Sequence, residues 1–206
     1  MRAPPEDGLS KQELRRLFRR RRRECLPGAA QGTLTTAQRH LSALLAARSG
    51  HLGLYWPLGS EPDLRPLAPA WGGRLALPAV ASTGLVYRPW QPGGPLAADA
   101  CGIPAPPGAA PGRQDGSDLA PGAMALLLVP ALAMAPCGLR LGSGGGWYDR
   151  LRSDPLWAAV PALAVLPAAC VTASLPRDPW DIPFDGWIDE RDCHLTEAGR
   201  RKIASS

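Results

Sequence analysis

The sequence predicts an α/β fold in which a largely parallel or mixed sheet is flanked by helices. Three observations carry that expectation. Residues 125–129 and 163–166 are almost continuously apolar, the pattern of central strands covered on both faces. Shorter strand-like runs precede them, and stretches with helical spacing of apolar residues separate the runs. At 206 residues the chain suits one domain that buries a core without staples.

The elements follow in order. Ser10 and Glu13 form a capping-box pattern, which starts a helix at Lys11. Leu14, Leu17, Phe18 and Cys25 share one face of it, and Arg15, Arg19, Arg22 and Arg23 spread over the others. Pro27 and Gly28 are expected to end this helix. Thr35 and Gln38 repeat the capping pattern for a second helix, whose inner stripe is Ala37, Leu41, Leu44 and Leu45 and whose stop is Gly50. Residues 51–56 read as a short strand closed by Pro57, with further strands at 74–77 and 84–87 ahead of the two central runs. Residues 104–122, rich in Pro, Gly and Ala and without a period, read as a partly mobile surface loop. A further helix is expected to begin near Trp147. No internal repeat and no second domain boundary is visible.

Composition narrows the function. The net charge of +5 favours anionic partners without separating nucleic acid from nucleotides or a polycarboxylate substrate. Cys25, Cys101, Cys137, Cys170 and Cys193 are odd in number, scattered and without a CxxC pair, which argues against a disulfide framework or structural zinc and for a reducing compartment. Residues 1–10 lack the apolar core of a signal peptide, and the longest apolar run, 123–135, is broken by Pro130 and too short to span a bilayer. The expectation is a soluble cytoplasmic protein.

Several chemistries are missing. There is no P-loop motif, the glycines lack dinucleotide-site spacing, and His40, His51 and His194 are isolated from any triad or zinc-protease pattern. Arginines, carboxylates and backbone amides are left to do the work. Residues 139–150 read Leu-Arg-Leu-Gly-Ser-Gly-Gly-Gly-Trp-Tyr-Asp-Arg. Glycine at 142, 144, 145 and 146, after a strand and before a helix, suits a phosphate cradle; from spacing alone a plain tight turn serves equally. Asp149 suits Mg²⁺ or, taken alone, a solvated or capping acid. Lys11 and Arg15, one turn apart, suit a phosphate clamp or a solvated pair. The run of arginines at 19–23 reads as helix surface rather than a nucleic-acid patch, since it lacks interleaved aromatics. Glu61, after a strand end and Gly59-Ser60, is placed to accept hydrogen bonds from a heterocycle. Asp181, Asp185 and Asp189 recur every fourth residue where Pro183 and Gly186 oppose a helix, so one of them is a candidate to meet Asp149.

Together these pieces resemble the 5-formyltetrahydrofolate cyclo-ligase (5,10-methenyltetrahydrofolate synthetase) family. Val129-Pro-Ala-Leu-Ala-Met followed by Gly138-Leu-Arg-Leu-Gly-Ser-Gly-Gly-Gly-Trp-Tyr-Asp-Arg150 matches the family's V-P-G-L-A-F-D…G-x-R-L-G-Y-G-G-G-Y-Y-D-R. Lys11 to Arg15 matches K-x-x-L-R, and Tyr55-Trp56-Pro57 with Glu61 the strand-then-Glu element. Gly102-Ile103 with Pro106 matches G-I-x-x-P, and Leu175-Pro176 with Asp181 and Asp185 the late L-P…D-x-x-x-D. Ser143 stands where Tyr or Arg is usual, Trp147 where the first Tyr is, and Met134-Ala135-Pro136 where Phe-Asp is common.

The resemblance implies a single-domain three-layer sandwich of the NagB/RpiA/CoA transferase type. It implies MgATP-dependent conversion of 5-formyltetrahydrofolate to 5,10-methenyltetrahydrofolate with release of ADP and phosphate. ATP is then a co-substrate and Mg²⁺ the cofactor. The folate, with or without a polyglutamate tail, is the partner of a monomer that binds neither membrane nor nucleic acid. By the same resemblance Lys11, Arg15, Arg140, Leu141, Gly142, Ser143, Gly144, Gly145, Gly146, Trp147 and Tyr148 contact ATP, with Arg140 and Tyr148 the catalytic pair. Trp56, Glu61 and the loop from Ser143 to Trp147 contact the folate, and Asp149 and Asp181 hold Mg²⁺. Two alternatives stand beside it: a non-catalytic relative that binds nucleotide or RNA through the arginine-rich helix, and a ligase on the same scaffold for another formamide-like substrate.

Overall fold

The computed structural model describes residues 8–46, 48–108 and 118–204. Most of the segment read for a signal peptide and the middle of the 104–122 loop lie outside them. The chain runs α1 (Lys11–Ala46), β1 (His51–Gly53), β2 (Leu75–Ala81), β3 (Gly84–Trp90), β4 (Ala97–Ala98), β5 (Pro104–Ala105), β6 (Met124–Pro130), β7 (Ala133–Met134) and β8 (Arg140–Leu141). It continues through α2 (Trp147–Arg152), α3 (Pro155–Ala159), β9 (Ala162–Val165), β10 (Gly186–Ile188), β11 (Cys193–Leu195) and α4 (Glu197–Ala204).

One seven-stranded sheet has the order β11-β10-β9-β6-β1-β2-β3. The five inner strands are mutually parallel, and β3 and β11 close the edges antiparallel. Strand alternation divides the core into two layers. From β6 and β9, Leu127, Val129, Ala162 and Ala164 join one apolar cluster, while Leu126, Leu128, Leu163 and Val165 join the other. The expected α/β sandwich with a mixed, mostly parallel sheet is what forms.

The capping box at the start of α1 is present. Ser10 N and Oγ donate to Glu13 Oε2 at 2.9 and 2.6 Å, and Glu13 N donates back to Ser10 Oγ at 3.3 Å. The expected break at Pro27 is not. α1 is one 36-residue helix with Pro27 inside it, about 54 Å long at 1.5 Å per residue. Proline deletes one helical hydrogen bond and costs about 3 kcal/mol in a helix interior. Burial of Leu14 and Phe18 on one side of it, and of Ala37, Leu41 and Leu45 on the other, outweighs that cost. The second capping pattern at Thr35 is therefore mid-helix.

Other boundaries also moved. β1 stops at Gly53, and Tyr55 and Trp56 leave the sheet as cavity wall. β2 and β3 run longer than expected because they pair as a hairpin from Leu75–Trp90 to Ala81–Gly84. Within the expected loop, β5 pairs with β4, and Pro121–Ala123 forms a 3-10 turn. Among the described residues no helix is long and apolar enough to cross a membrane.

Candidate active site

One edge of α1 sets out the site. Lys11 Nζ sits between Asp178 Oδ2 at 2.7 Å and Asp181 Oδ2 at 2.5 Å. One turn on, Arg15 Nε donates to Gly142 O at 3.1 Å, and a further turn on Arg19 donates to Ser143 O at 2.7 Å. Arg22 then turns inward toward Glu61, its Nη1 3.7 Å from Oε1. The span from Lys11 to Arg22 is about 16 Å along the helix axis. The arginine run is thus more than solvated surface: Arg15, Arg19 and Arg22 hold loops, and Arg21 stacks on Phe18 at 4.7 Å.

The glycine loop hangs from a small hairpin. β7 and β8 pair antiparallel, Gly138 N closes the turn onto Ala135 O, and β8 delivers Arg140 and Leu141 to the loop. Gly144 has φ of 113°, a conformation that L side chains rarely adopt. A Cβ at Gly142 would lie 2.8 Å from Arg140 Nη1, so the missing side chain lets that guanidinium lie against the backbone. The loop's carbonyls are engaged from outside, by Arg15, Arg19 and Arg150. Among the described residues, the N–H groups of Ser143, Gly144, Gly145 and Gly146 donate to no protein acceptor.

Arg140 is nearly buried. Its Nη1 donates to Pro130 O at 3.2 Å, its Nη2 lies 3.7 Å from Asp149 Oδ2, and its guanidinium lies over the rings of Tyr148 and Phe184. Burial pushes the Tyr148 phenol well above its ordinary range, so it stays protonated; the hydroxyl of Tyr87 beside it is buried too. Glu61 is buried, with Oε2 accepting from Leu58 N at 2.9 Å. Burial raises its carboxyl, while the Leu58 N–H, Arg22 and Arg140 oppose the rise. At Lys11, burial alone would lower the ammonium; the hydrogen bonds to Asp178 and Asp181 outweigh it and raise it.

These groups surround one cavity of about 650 Å³ at the carboxyl ends of β1 and β6, where α/β sheets commonly bind ligands. Every residue the sequence singled out for a site lines it: Lys11, Arg15, Trp56, Glu61, Arg140, Leu141, Gly142, Ser143, Gly144, Gly145, Gly146, Trp147, Tyr148, Asp149 and Asp181. Of the three periodic aspartates, only Asp181 reaches the cavity. Asp185 is buried with Lys202 and the Ala162 N–H, and Asp189 binds Trp187 and His194. None of the three histidines lines the cavity. Sequence reasoning missed Asp178, which precedes Asp181 by three residues and shares Lys11. It also missed Arg22, whose place four residues after buried Phe18 on the inner stripe was the available signal. Among the described residues no group of three or more His, Cys, Asp or Glu is arranged to hold a metal.

Residues 7–189 match the 5-formyltetrahydrofolate cyclo-ligase family. The chain belongs to that family. Solved structures agree. The NMR structure of 5,10-methenyltetrahydrofolate synthetase from Aquifex aeolicus is 28% identical, with a TM-score of 0.71 over 92% of this chain and 94% of that one. A 5,10-methenyltetrahydrofolate synthetase from Mycoplasma pneumoniae shares the fold at 19% identity, with a TM-score of 0.64 over 89% of this chain and 100% of the other. No curated protein matches the chain. Membership makes the chain an enzyme, an ATP-dependent ligase of folate metabolism.

Proposed function

We propose that this cyclo-ligase family member converts 5-formyltetrahydrofolate to 5,10-methenyltetrahydrofolate, using MgATP and releasing ADP and phosphate. The observation that carries the reading is convergence. Cations, an acceptor carboxylate, aromatic walls and a loop with uncommitted N–H groups meet in one cavity.

The formyl oxygen attacks the γ-phosphorus and ADP leaves. N10 then adds to the activated carbon, gives up its proton, and phosphate departs. No protein nucleophile is required, in keeping with a cavity that no histidine lines. The protein's task is to position and to stabilise charge. Lys11, Arg15 and the backbone from Arg140 to Tyr148 hold the phosphates. Arg140 lies against that loop as a fixed cation, backed by Pro130 O and the ring of Tyr148, whose protonated phenol is a hydrogen-bond donor. Glu61 accepts from the amino and ring N–H groups of the pterin, and Trp56 and Trp147 give it flat walls.

The residues present fit a magnesium ion, which takes oxygen ligands and typically one or two carboxylates together with phosphate oxygens. Asp149 and Asp181 are carboxylates that both line the cavity, each now facing a cation, Arg140 or Lys11. When bound, the ion would neutralise charge developing on the transferred phosphoryl group. Within the arginine run that an RNA-binding relative would need, Arg19 is engaged by Ser143 O and Arg22 by Ser60 and Ala131, which takes part of that surface out of play and favours catalysis.

Purified protein supplied with 5-formyltetrahydrofolate and MgATP should develop the near-ultraviolet absorbance of the methenyl product, with one ADP formed per product. Folded protein that yields neither refutes the reading. Asp149→Ala should reduce turnover at least about a hundredfold at saturating folate; near-normal turnover would remove Asp149 from the metal site.

A further inference from the structure

We propose that Arg22 is a positioning residue for folate recognition: it fixes Glu61 in the cavity wall without itself reaching the cavity. The proposal rests on Glu61 being the pterin acceptor. Arg22 occupies the next step of the buried stripe of α1 after Leu14 and Phe18, where an apolar side chain would ordinarily sit. Its side chain is 7% exposed, as is that of Glu61. Burying a guanidinium there is costly unless it is paired and hydrogen-bonded.

The partners are specific. Nε donates to Ser60 Oγ at 3.1 Å, Nη1 donates to Ala131 O at 3.0 Å, and Nη1 faces Glu61 Oε1 at 3.7 Å. Ser60 and Glu61 are consecutive, so one guanidinium grips both side chains of the turn after Gly59. Ala131 follows the end of β6, so the same group ties that turn to the carboxyl end of a central strand. The second carboxylate oxygen of Glu61 is held by Leu58 N. Glu61 lines the cavity and Arg22 does not. Arg22 thus acts through Glu61.

Four groups act electrostatically on the Glu61 carboxylate: Arg22 from α1, in contact with it, and at longer range Arg140 from β8, Tyr55 after β1 and Tyr148 from α2. Both tyrosines are neutral, held so by burial. The two arginines are the only cations among these four, and Arg140 is itself turned to Pro130 O and Asp149. Removing Arg22 therefore leaves a buried carboxylate that protonates more readily and loses its acceptor capacity toward the pterin N–H groups.

The test compares wild type, Arg22→Lys, Arg22→Met and Glu61→Gln. KM for 5-formyltetrahydrofolate is measured at saturating MgATP, KM for ATP at saturating folate, and folate binding without ATP by tryptophan fluorescence. Arg22→Met should raise the folate KM and weaken ATP-free binding by about tenfold or more, the loss expected for a disrupted charge-assisted acceptor, with the ATP KM within about twofold. Its folate KM should rise more steeply than that of wild type as pH falls from about 8 to 6, because the unpaired carboxyl titrates higher than the paired one. Arg22→Lys, which keeps the charge and is the milder change should Met fail to fold, should recover part of the affinity. Combining Arg22→Met with Glu61→Gln should cost little more than Glu61→Gln alone. An unchanged folate KM in the Arg22 variants, or equal losses for both substrates, overturns the positioning role. A wild type that neither binds nor turns over the folate would instead overturn the function itself.

Discussion

A single methyl group at Gly142 separates a structural role for the glycine loop from a catalytic one. In Gly142→Ala the added Cβ would lie 2.8 and 2.9 Å from the two terminal nitrogens of Arg140 and 3.1 Å from its Cζ. Ordinary contact needs roughly 3.5 Å, so the guanidinium must withdraw by about 0.7 Å. An exposed arginine would do so freely. Arg140 has a side chain only 6% exposed, lies over two rings, and bonds Pro130 O at 3.2 Å, already the long end of the range. Disrupting a hydrogen bond made by a charged group costs about 1.5–3 kcal/mol, or about 10- to 100-fold in rate if the cation stabilises the transition state. The assay is kcat for methenyl formation at saturating substrates, with thermal unfolding followed in parallel. A fall in kcat within that range, in a protein that still unfolds cooperatively, is expected. Turnover within about threefold of wild type would show that the placement of Arg140 against Gly142 is incidental to catalysis.

Other expectations are narrower. Gly28 lies inside α1, and a Cβ added there would meet nothing within 4 Å, so Gly28→Ala should stabilise the protein by about 0.5–1 kcal/mol, read from urea midpoints. Hydrogen bonds from Ser10 hold the exposed Glu13 carboxylate below its ordinary value of 4.5, so the cap's contribution is present above that pH and is lost as pH falls through the lower folded value. Ser10→Ala should accordingly lower the urea midpoint near neutrality, and the gap should close in acid. Burial pushes the Cys170 and Cys193 thiols up to about 12 each, whereas Cys101 and Cys137 are exposed. Brief alkylation of the native protein near pH 8 should therefore label Cys101 and Cys137 and spare Cys170 and Cys193, as read by mass spectrometry.

What the sequence disclosed depended on whether a residue's role is local. The central strands β6 and β9 announced themselves through unbroken apolar runs. The Ser10–Glu13 cap is a contact between residues three apart, and it formed as read. β10 and β11 have three residues each and β7 and β8 two, too few for any period to show. Pro27 misled because its cost is local while the burial that overrides it is tertiary. The site shows the same division. Lys11, Glu61 and the loop through Tyr148 and Asp149 could be matched to motifs. Arg22 was hidden among five consecutive arginines, since composition cannot tell which member of a run faces inward.

The unbroken course of α1 has a mechanical consequence. Leu14 and Phe18 belong to the apolar layer on one side of the sheet, and Ala37, Leu41 and Leu45 to the layer on the other. The same rod that carries the cations of the cavity is therefore anchored in the opposite layer, beyond Pro27. Loosening either layer would shift the cavity wall. Any movement that bent this edge of the cavity would have to disturb packing in both apolar layers at once.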